Sequence, residues 1–309
     1  MRGETALIGL DWGTTTLRVY RFGASGELLE RRRAELGILR VVNGAFEDAL
    51  FSTIGDWLTA EKEVAVIASG MITSRQGWVE TPYLPCPAGA EELAAALTGR
   101  RLRSGHRILF VPGLSTRGAD GMPDVMRGEE TQILGALAAG VSARLLILPG
   151  THSKWVRCAG DRIAHFATMM TGEFYDVLRR HSILGRLMEG DAPDAEAFAR
   201  GVAFGTREDA ASGGLLRRLF SVRSLGLCEE IPAGGLASYL SGLLIGSELR
   251  EGRAMFGDAG PLGLIGETGL VRRYREALAA CGREGAALPG DPAARGLFLL
   301  ARRAGVTPG

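Results

Sequence analysis

A chain of 309 residues with 46% hydrophobic content can bury a substantial core, and its length suits two domains of ordinary size better than one. Thirty-six basic against thirty-five acidic residues leave a net charge of +1, which supplies no global field for nucleic acid or an anionic membrane and favours a small, specific ligand. Cys86, Cys158, Cys228 and Cys281 stand far apart without a C-x-x-C pair, so neither a disulfide framework nor a structural zinc site is expected, and reduced thiols in cytoplasm fit best.

No long apolar run opens the chain, and none anywhere approaches the ~20 residues of a spanning helix, so secretion and membrane insertion are not expected. Residues 7–10 read as a short buried strand and 17–22 as a second extended segment, ending at the turn Gly23-Ala24-Ser25-Gly26 before a third strand near 28–36. A helix over 46–57, a strand over 64–68, a helix over 90–97 and a strand over 108–111 alternate in the manner of an α/β fold. In "RGEETQILGALAAG", residues 127–140, Ile133, Leu134 and Leu137 fall at helical spacing behind acids in the first turn. This helix is expected to join two lobes, giving 1–127, 128–140 and 141–309. The stretch "LLILPGTHSKWVRCAGDRIAHFAT", residues 145–168, then repeats the opening pattern, and Gly13-Thr14-Thr15-Thr16 aligns without a gap on Gly150-Thr151-His152-Ser153. Two more helices, over 234–252 and 269–282, flank the apolar "PLGLIG" of residues 261–266.

A tight turn without bulky side chains exposes consecutive backbone N–H groups, and threonine hydroxyls add donors, so both Gly-Thr tips suit phosphate oxygens. Asp11 beside the first tip suits a hydrated Mg²⁺ that bridges nucleotide phosphates. An ordinary hairpin turn is the plain alternative for either tip alone; two matched tips favour a polyphosphate. P-loop, Rossmann and nucleophile-elbow motifs are absent. His106, His165 and His181 are expected to be structural, whereas His152 lies in the second tip.

"DWGTTTLRVYRF" and "PGTHSKWV" resemble the two phosphate motifs of the actin, Hsp70 and sugar-kinase superfamily. "SGMITSRQGWVETPYLPCPAG", "DVMRGEETQILGAL" and "LPGTHSKWV" more narrowly resemble the 2-dehydro-3-deoxygalactonokinase family, across essentially the whole chain. The resemblance implies a two-lobed actin-like (ribonuclease H-like) α/β fold with a central cleft. It also implies a cytoplasmic enzyme that phosphorylates a six-carbon 2-keto-3-deoxy sugar acid with ATP and Mg²⁺ in galactonate breakdown. The alternatives are another sugar acid or polyol as acceptor, or a non-catalytic ATP-switched protein.

Carried over residue by residue, the family implies phosphate contacts at Gly13, Thr14, Thr15 and Thr16, and at Gly150, Thr151, His152, Ser153 and Lys154, with Asp11 on the metal side. Glu129 matches the carboxylate that opens the connecting helix in related sugar kinases and would take the acceptor proton, with Glu130 or Asp124 as fallback. Arg75, Gln76 and Trp78, in a proline-rich loop, are the candidates for the substrate, since the planar fork of arginine can bond both carboxylate oxygens. Arg127 and Lys154 are expected to serve phosphate, and Gly266 the adenosine site. The expected partners are a sugar acid and ATP, with no nucleic acid and no membrane; a homodimer is a further expectation.

Overall fold

The computed structural model describes residues 4–61, 63–190, 192–258 and 260–307, and the chain divides into two compact units. In order, the elements are β1 (Leu7–Trp12), β2 (Leu17–Phe22), β3 (Leu28–Ala34), α1 (Phe46–Ala60), β4 (Ala65–Ser69), β5 (Tyr83–Pro85), α2 (Ala90–Ala95) and β6 (Thr98–Arg101). There follow β7 (Arg107–Phe110), β8 (Gly113–Arg117), β9 (Pro123–Met126), α3 (Glu129–Ala138), β10 (Leu145–Leu148), β11 (Ser153–Ala159), β12 (Arg162–Met169) and α4 (Thr171–His181). The chain continues with α5 (Ala195–Gly205), α6 (Leu215–Leu227), α7 (Leu236–Phe256), β13 (Leu262–Leu264), α8 (Thr268–Ala280), β14 (Gly285–Ala287) and α9 (Pro292–Arg303).

The two main sheets share one order over five strands, and the first adds a sixth at its edge. The first runs β3-β2-β1-β4-β7-β6 and the second β12-β11-β10-β13-β14, with a small third sheet β5-β8-β9. In each main sheet the leading strand pairs antiparallel with its hairpin partner and parallel with a strand that returns after a helical crossover. The match between the Gly-Thr segments therefore coincides with a repeated architecture.

In unit 1, Ile8, Leu10 and Trp12 alternate toward one side of β1 and pack with Leu50, Ile54 and Trp57 of α1 and Phe110 of β7. The opposite side of β1 takes α9: a Cβ on Gly9 would stand 3.1 Å from Leu297. Pro292 at the first helical turn and Asp291 as N-cap start α9, and Asp291 Oδ1 also accepts from the Tyr20 hydroxyl at 3.1 Å. In unit 2, Leu145, Ile147 and Trp155 pack with Ile245 and Leu249 of α7 and with Tyr274 and Leu278 of α8.

Unit 1 comprises Met1–Ser142, Cys158–Phe166 and Pro289–Gly309, and unit 2 comprises Ala143–Arg157 and Ala167–Leu288. This departs from the expected division at 127 and 140 in two respects. Helix α3 is an integral part of unit 1, where it lies along α9 so closely that a Cβ on Gly135 or Gly296 would stand 2.0 Å and 1.9 Å from the backbone oxygens of Pro292 and Thr131. The tip of the β11–β12 hairpin also belongs to unit 1, where Ala88 and Ile163 exchange backbone hydrogen bonds of 3.0 and 2.8 Å and Arg162 pairs with Glu92 at 2.7 Å. Local periodicity carries no record of such distant partners. Among the described residues no helix is long and apolar enough to cross a membrane, and all four cysteines are free.

Candidate active site

Strand β1 ends on Asp11 and Trp12, and Trp12 Nε1 donates to Leu36 O at 2.6 Å. The chain then reverses through Gly13 to Thr16, closed by a 2.9 Å hydrogen bond from Gly13 N to Thr16 O. Thr14 and Thr15 are exposed while Gly13 and Thr16 are half-buried. Behind this turn, the amides of Gly37, Ile38 and Leu39 donate to the carbonyls of Thr15, Gly13 and Thr14 at 2.9, 3.0 and 3.2 Å. The carbonyls are thus held from the rear, a brace that the sequence reading missed because a Leu-Gly-Ile-Leu stretch carries no signal of its own.

Asp11 is buried, with Oδ2 lying 3.4 Å from Arg18 Nε yet without a hydrogen-bond partner. Burial pushes its carboxyl above the ordinary value; Arg18 opposes this, and the negative charges of Asp291 and Glu129 add to it. Asp11 and Glu129 therefore lie within electrostatic reach of each other. Adjacent β4 places Ser69 opposite Asp11, and Gly70 follows with φ of +96°. Gly128, with φ of +106°, approaches so closely that its Cβ would stand 3.0 Å from Gly70 Cα. These two glycines set the start of α3 against the ends of β1 and β4.

Glu129 is the first residue of α3, half-buried, and its Oε2 accepts from the amide of Arg127 at 3.0 Å. Glu130 is fully buried; its Oε2 accepts from Gly128 N at 2.6 Å and its Oε1 from the Thr131 hydroxyl at 3.2 Å. Burial, reinforced by Glu129, pushes the Glu130 carboxyl up to about 7. Asp124 sits in β9, its Oδ1 accepting from Val125 N at 2.7 Å.

Arg127 does not present its cation to a ligand. It is buried, and Nη1 donates to the hydroxyls of Thr73 (2.7 Å) and Thr81 (2.5 Å), while Nη2 donates to Thr81 O at 2.9 Å. Its guanidinium also lies 4.2 Å over the Tyr83 ring. All of these partners are neutral, and they bracket the loop that carries Arg75 and Gln76. Both of those residues are exposed. Trp78 departs from the substrate expectation: half-buried, its ring stacks on Phe46 at 6.2 Å, meets Phe110 edge-on at 5.7 Å and lies under Arg100 at 5.2 Å, so both ring faces and an edge serve packing.

In unit 2 the second turn leaves Gly150 half-buried and Thr151 and His152 exposed, with His152 Nε2 and Glu173 Oε2 2.5 Å apart. Glu173 N also donates to Thr151 O at 2.9 Å, which seats the N-terminus of α4 on the turn. Ser153 corrects the phosphate expectation, because its hydroxyl points inward and meets Tyr274 OH at 2.8 Å. Tyr274 donates to Glu248 Oε2 at 2.5 Å, and Trp155 Nε1 to Glu248 Oε1 at 2.8 Å, within a fully buried network. Burial raises the Glu248 carboxyl, opposed by hydrogen bonds from Thr171, Tyr274, Trp155 and Ser153. Lys154 is buried and donates to the Thr168 hydroxyl at 2.8 Å. Gly266 follows β13, exposed, and a Cβ there would stand 3.2 Å from Pro149 O, so it neighbours the second turn before α8 begins. The buried network escaped sequence reading; its members are single polar letters inside apolar helices and strands.

The model of the 2-keto-3-deoxy-galactonokinase family matches residues 11–300. The chain belongs to this family. It is 38% identical over 303 residues to a Rhizobium meliloti (strain 1021) protein named as a probable 2-dehydro-3-deoxygalactonokinase, DgoK1, covering 96% of each chain. It is 36% identical to the 2-dehydro-3-deoxygalactonokinase of Escherichia coli (strain K12), covering 93% of this chain and 94% of that one. A Sinorhizobium meliloti crystal structure bearing the 2-dehydro-3-deoxygalactonokinase name superposes with a TM-score of 0.84 at 37% identity, over 96% of this chain and 98% of that one. The activator of the 2-hydroxyisocaproyl-CoA dehydratase from Clostridium difficile shares the fold alone, with a TM-score of 0.51 at 13% identity over 97% of this chain and 95% of that one. The chain thus has a mixed α/β fold of two compact units, and the family it belongs to is one of sugar-acid kinases.

Proposed function

We propose that the protein transfers the γ-phosphoryl group of ATP to the 6-hydroxyl of 2-dehydro-3-deoxy-D-galactonate, in the cytoplasm, as a step of galactonate breakdown. The observation that carries this reading is the buried Asp11 carboxylate, whose Oδ2 makes no hydrogen bond and has the Arg18 guanidinium beside it at 3.4 Å, set at the foot of a braced Gly-Thr-Thr-Thr turn and within the field of Glu129. A hard carboxylate oxygen with no hydrogen bond of its own fits Mg²⁺, which keeps most of its waters and takes one or two carboxylates together with phosphate oxygens. Among the described residues no cluster of three or more His, Cys, Asp or Glu could hold a metal by itself, which suits an ion carried in with its nucleotide. When bound, Mg²⁺ would neutralise charge on the phosphates.

The remaining roles belong to the chain. In unit 1 the free N–H groups and hydroxyls of the 13–16 turn are donors suited to phosphate oxygens; in unit 2 those of Gly150, Thr151 and His152 are, with the α4 N-terminus adding its dipole there. Glu129 receives the proton of the 6-hydroxyl as that oxygen bonds to the γ-phosphorus and the bond to the β–γ bridging oxygen breaks, releasing ADP. Glu130 is unsuited to this step because it is fully enclosed with both oxygens occupied. Arg75 and Gln76, exposed on their loop, bind the substrate carboxylate. ATP consumption with a panel of sugar acids tests the reading: stimulation by 2-dehydro-3-deoxy-D-galactonate above its stereoisomers is expected, and no stimulation by any 2-keto-3-deoxy acid would overturn it.

A further inference from the structure

Helix α6 shows an apolar stripe to solvent. Its core side is ordinary, with Leu219 and Val222 buried against Tyr239, Leu240 and Leu243 of α7. On the outward side, Leu216 is 86% exposed, Phe220 55% and Leu227 58%, and Ile183, whose carbonyl accepts from Arg223, is 48% exposed beside them. Residues 216, 220, 223 and 227 follow i, i+4, i+7 and i+11, the spacing of a helix–helix seam. Three large side chains in one line differ from the scattered exposed hydrophobics of an ordinary surface.

The charges at the two ends of α6 indicate what covers this stripe. Arg217 lies in the first turn and Glu229 just past the last; both are exposed, and neither has an ion-pair partner among the described residues. Glu229 holds φ of +57°, a conformation that favours glycine, so an acid is kept where a glycine would fit more easily. A basic beginning and an acidic end, with Arg223 the one charge within the stripe between Phe220 and Leu227, are self-complementary when the helix meets its own copy reversed. A parallel copy would set arginine on arginine.

We propose that this face is the contact between two copies of the chain, which pair α6 antiparallel about a two-fold axis. Leu216 then meets Leu227 of the other copy, Phe220 meets Arg223 near the axis, and the long Arg217 side chain extends about 4.5 Å along the helix, three residues past its facing position, to reach Glu229 at both ends of an isologous interface. At ~1.5 Å per residue a helix of 13 residues is about 20 Å long, and a single such pair covers less than the ~800 Å² per partner of a standard interface. The dimer is therefore weak, with a Kd in the micromolar range. This inference does not depend on the catalytic reading.

The test is sedimentation equilibrium of the purified full-length protein from about 1 to about 200 µM, under reducing conditions because Cys228 is exposed next to the seam. Wild type is expected to dimerise reversibly across this range. Leu216→Glu and Phe220→Asp, both at exposed positions, are expected to weaken the dimer by more than about tenfold without changing the circular dichroism spectrum. Arg217→Glu and Glu229→Arg should each weaken it by about three- to tenfold, and the double variant should recover wild-type association. A wild-type monomer at every concentration, as expected if a different protein covers the stripe, would overturn the proposal. So would a dimer indifferent to Phe220→Asp and Leu216→Glu, or a charge-reversed double variant no better than its singles.

Discussion

Arg127 and Thr81 are joined twice, the guanidinium donating to the hydroxyl at 2.5 Å and to the carbonyl at 2.9 Å. With the further bond to Thr73, one side chain closes both ends of the loop that carries Arg75 and Gln76 onto the start of α3. A lysine ammonium cannot reproduce this planar fork. Arg127→Lys should raise KM for the sugar acid about tenfold or more and leave KM for ATP nearly unchanged. Faster amide hydrogen exchange over residues 71–83 should accompany it. Equal losses for both substrates would remove the loop from the explanation.

Asp11 combines a functional position with an electrostatic penalty. Since burial outweighs Arg18 and holds its carboxyl above the ordinary value, Asp11→Asn should leave Tm unchanged or raise it while turnover falls by about 10²-fold or more. Calorimetry and steady-state kinetics at saturating Mg²⁺ read the two effects separately. Normal turnover would place the metal-side role elsewhere.

The neighbouring glutamates should separate by assay. Glu129→Gln keeps shape but cannot accept the proton, so turnover should fall roughly 10²–10⁴-fold with both substrates still binding by calorimetry. Glu130→Gln should retain much of the activity and change the pH dependence of stability instead. The Glu130 carboxyl titrates at about 7 in the fold against an ordinary 4.5, so the folded state holds the extra proton. Its contribution is fully present below pH 4.5 and is lost as pH rises through 7. The unfolding free energy of wild type, from denaturant titration, should therefore fall by up to about 3 kcal/mol as pH rises from 5 to 8, and Glu130→Gln should flatten this slope. An unchanged slope would mean that Glu130 is ionised throughout.

The buried network behind the second turn should act through geometry. Tyr274→Phe removes the hydroxyl that meets Ser153 and donates to Glu248, leaving a buried carboxylate oxygen short of a partner. A stability loss of about 1–3 kcal/mol is expected from denaturant titration. KM for ATP should rise more than KM for the sugar acid, because the displaced residue adjoins the Gly150–His152 turn. A larger effect on the sugar acid would argue against a nucleotide role for that turn.

Both hairpins and their Gly-Thr tips are legible in the sequence because they rest on neighbouring residues: apolar runs long enough for a strand, broken by a glycine and short polar side chains. The same locality makes α3 readable from its acids and its helical spacing. The small sheet β5-β8-β9 and the paths of α4, α5, α6 and α9 were not readable in this way. Which way the polar side chains near the tips point was decided only by tertiary structure. Ser153 turns inward because Tyr274 waits for it from α8, Trp78 packs because Phe46 and Phe110 offer their rings, and Arg127 is consumed by Thr73 and Thr81. The return of α9 to unit 1 has the same origin, since Gly135 and Gly296 permit a close crossing that neither helix encodes alone. Backbone turns are chosen by local sterics, whereas the direction of a buried polar group is chosen by its hydrogen-bond partner, and here those partners lie tens to hundreds of residues away.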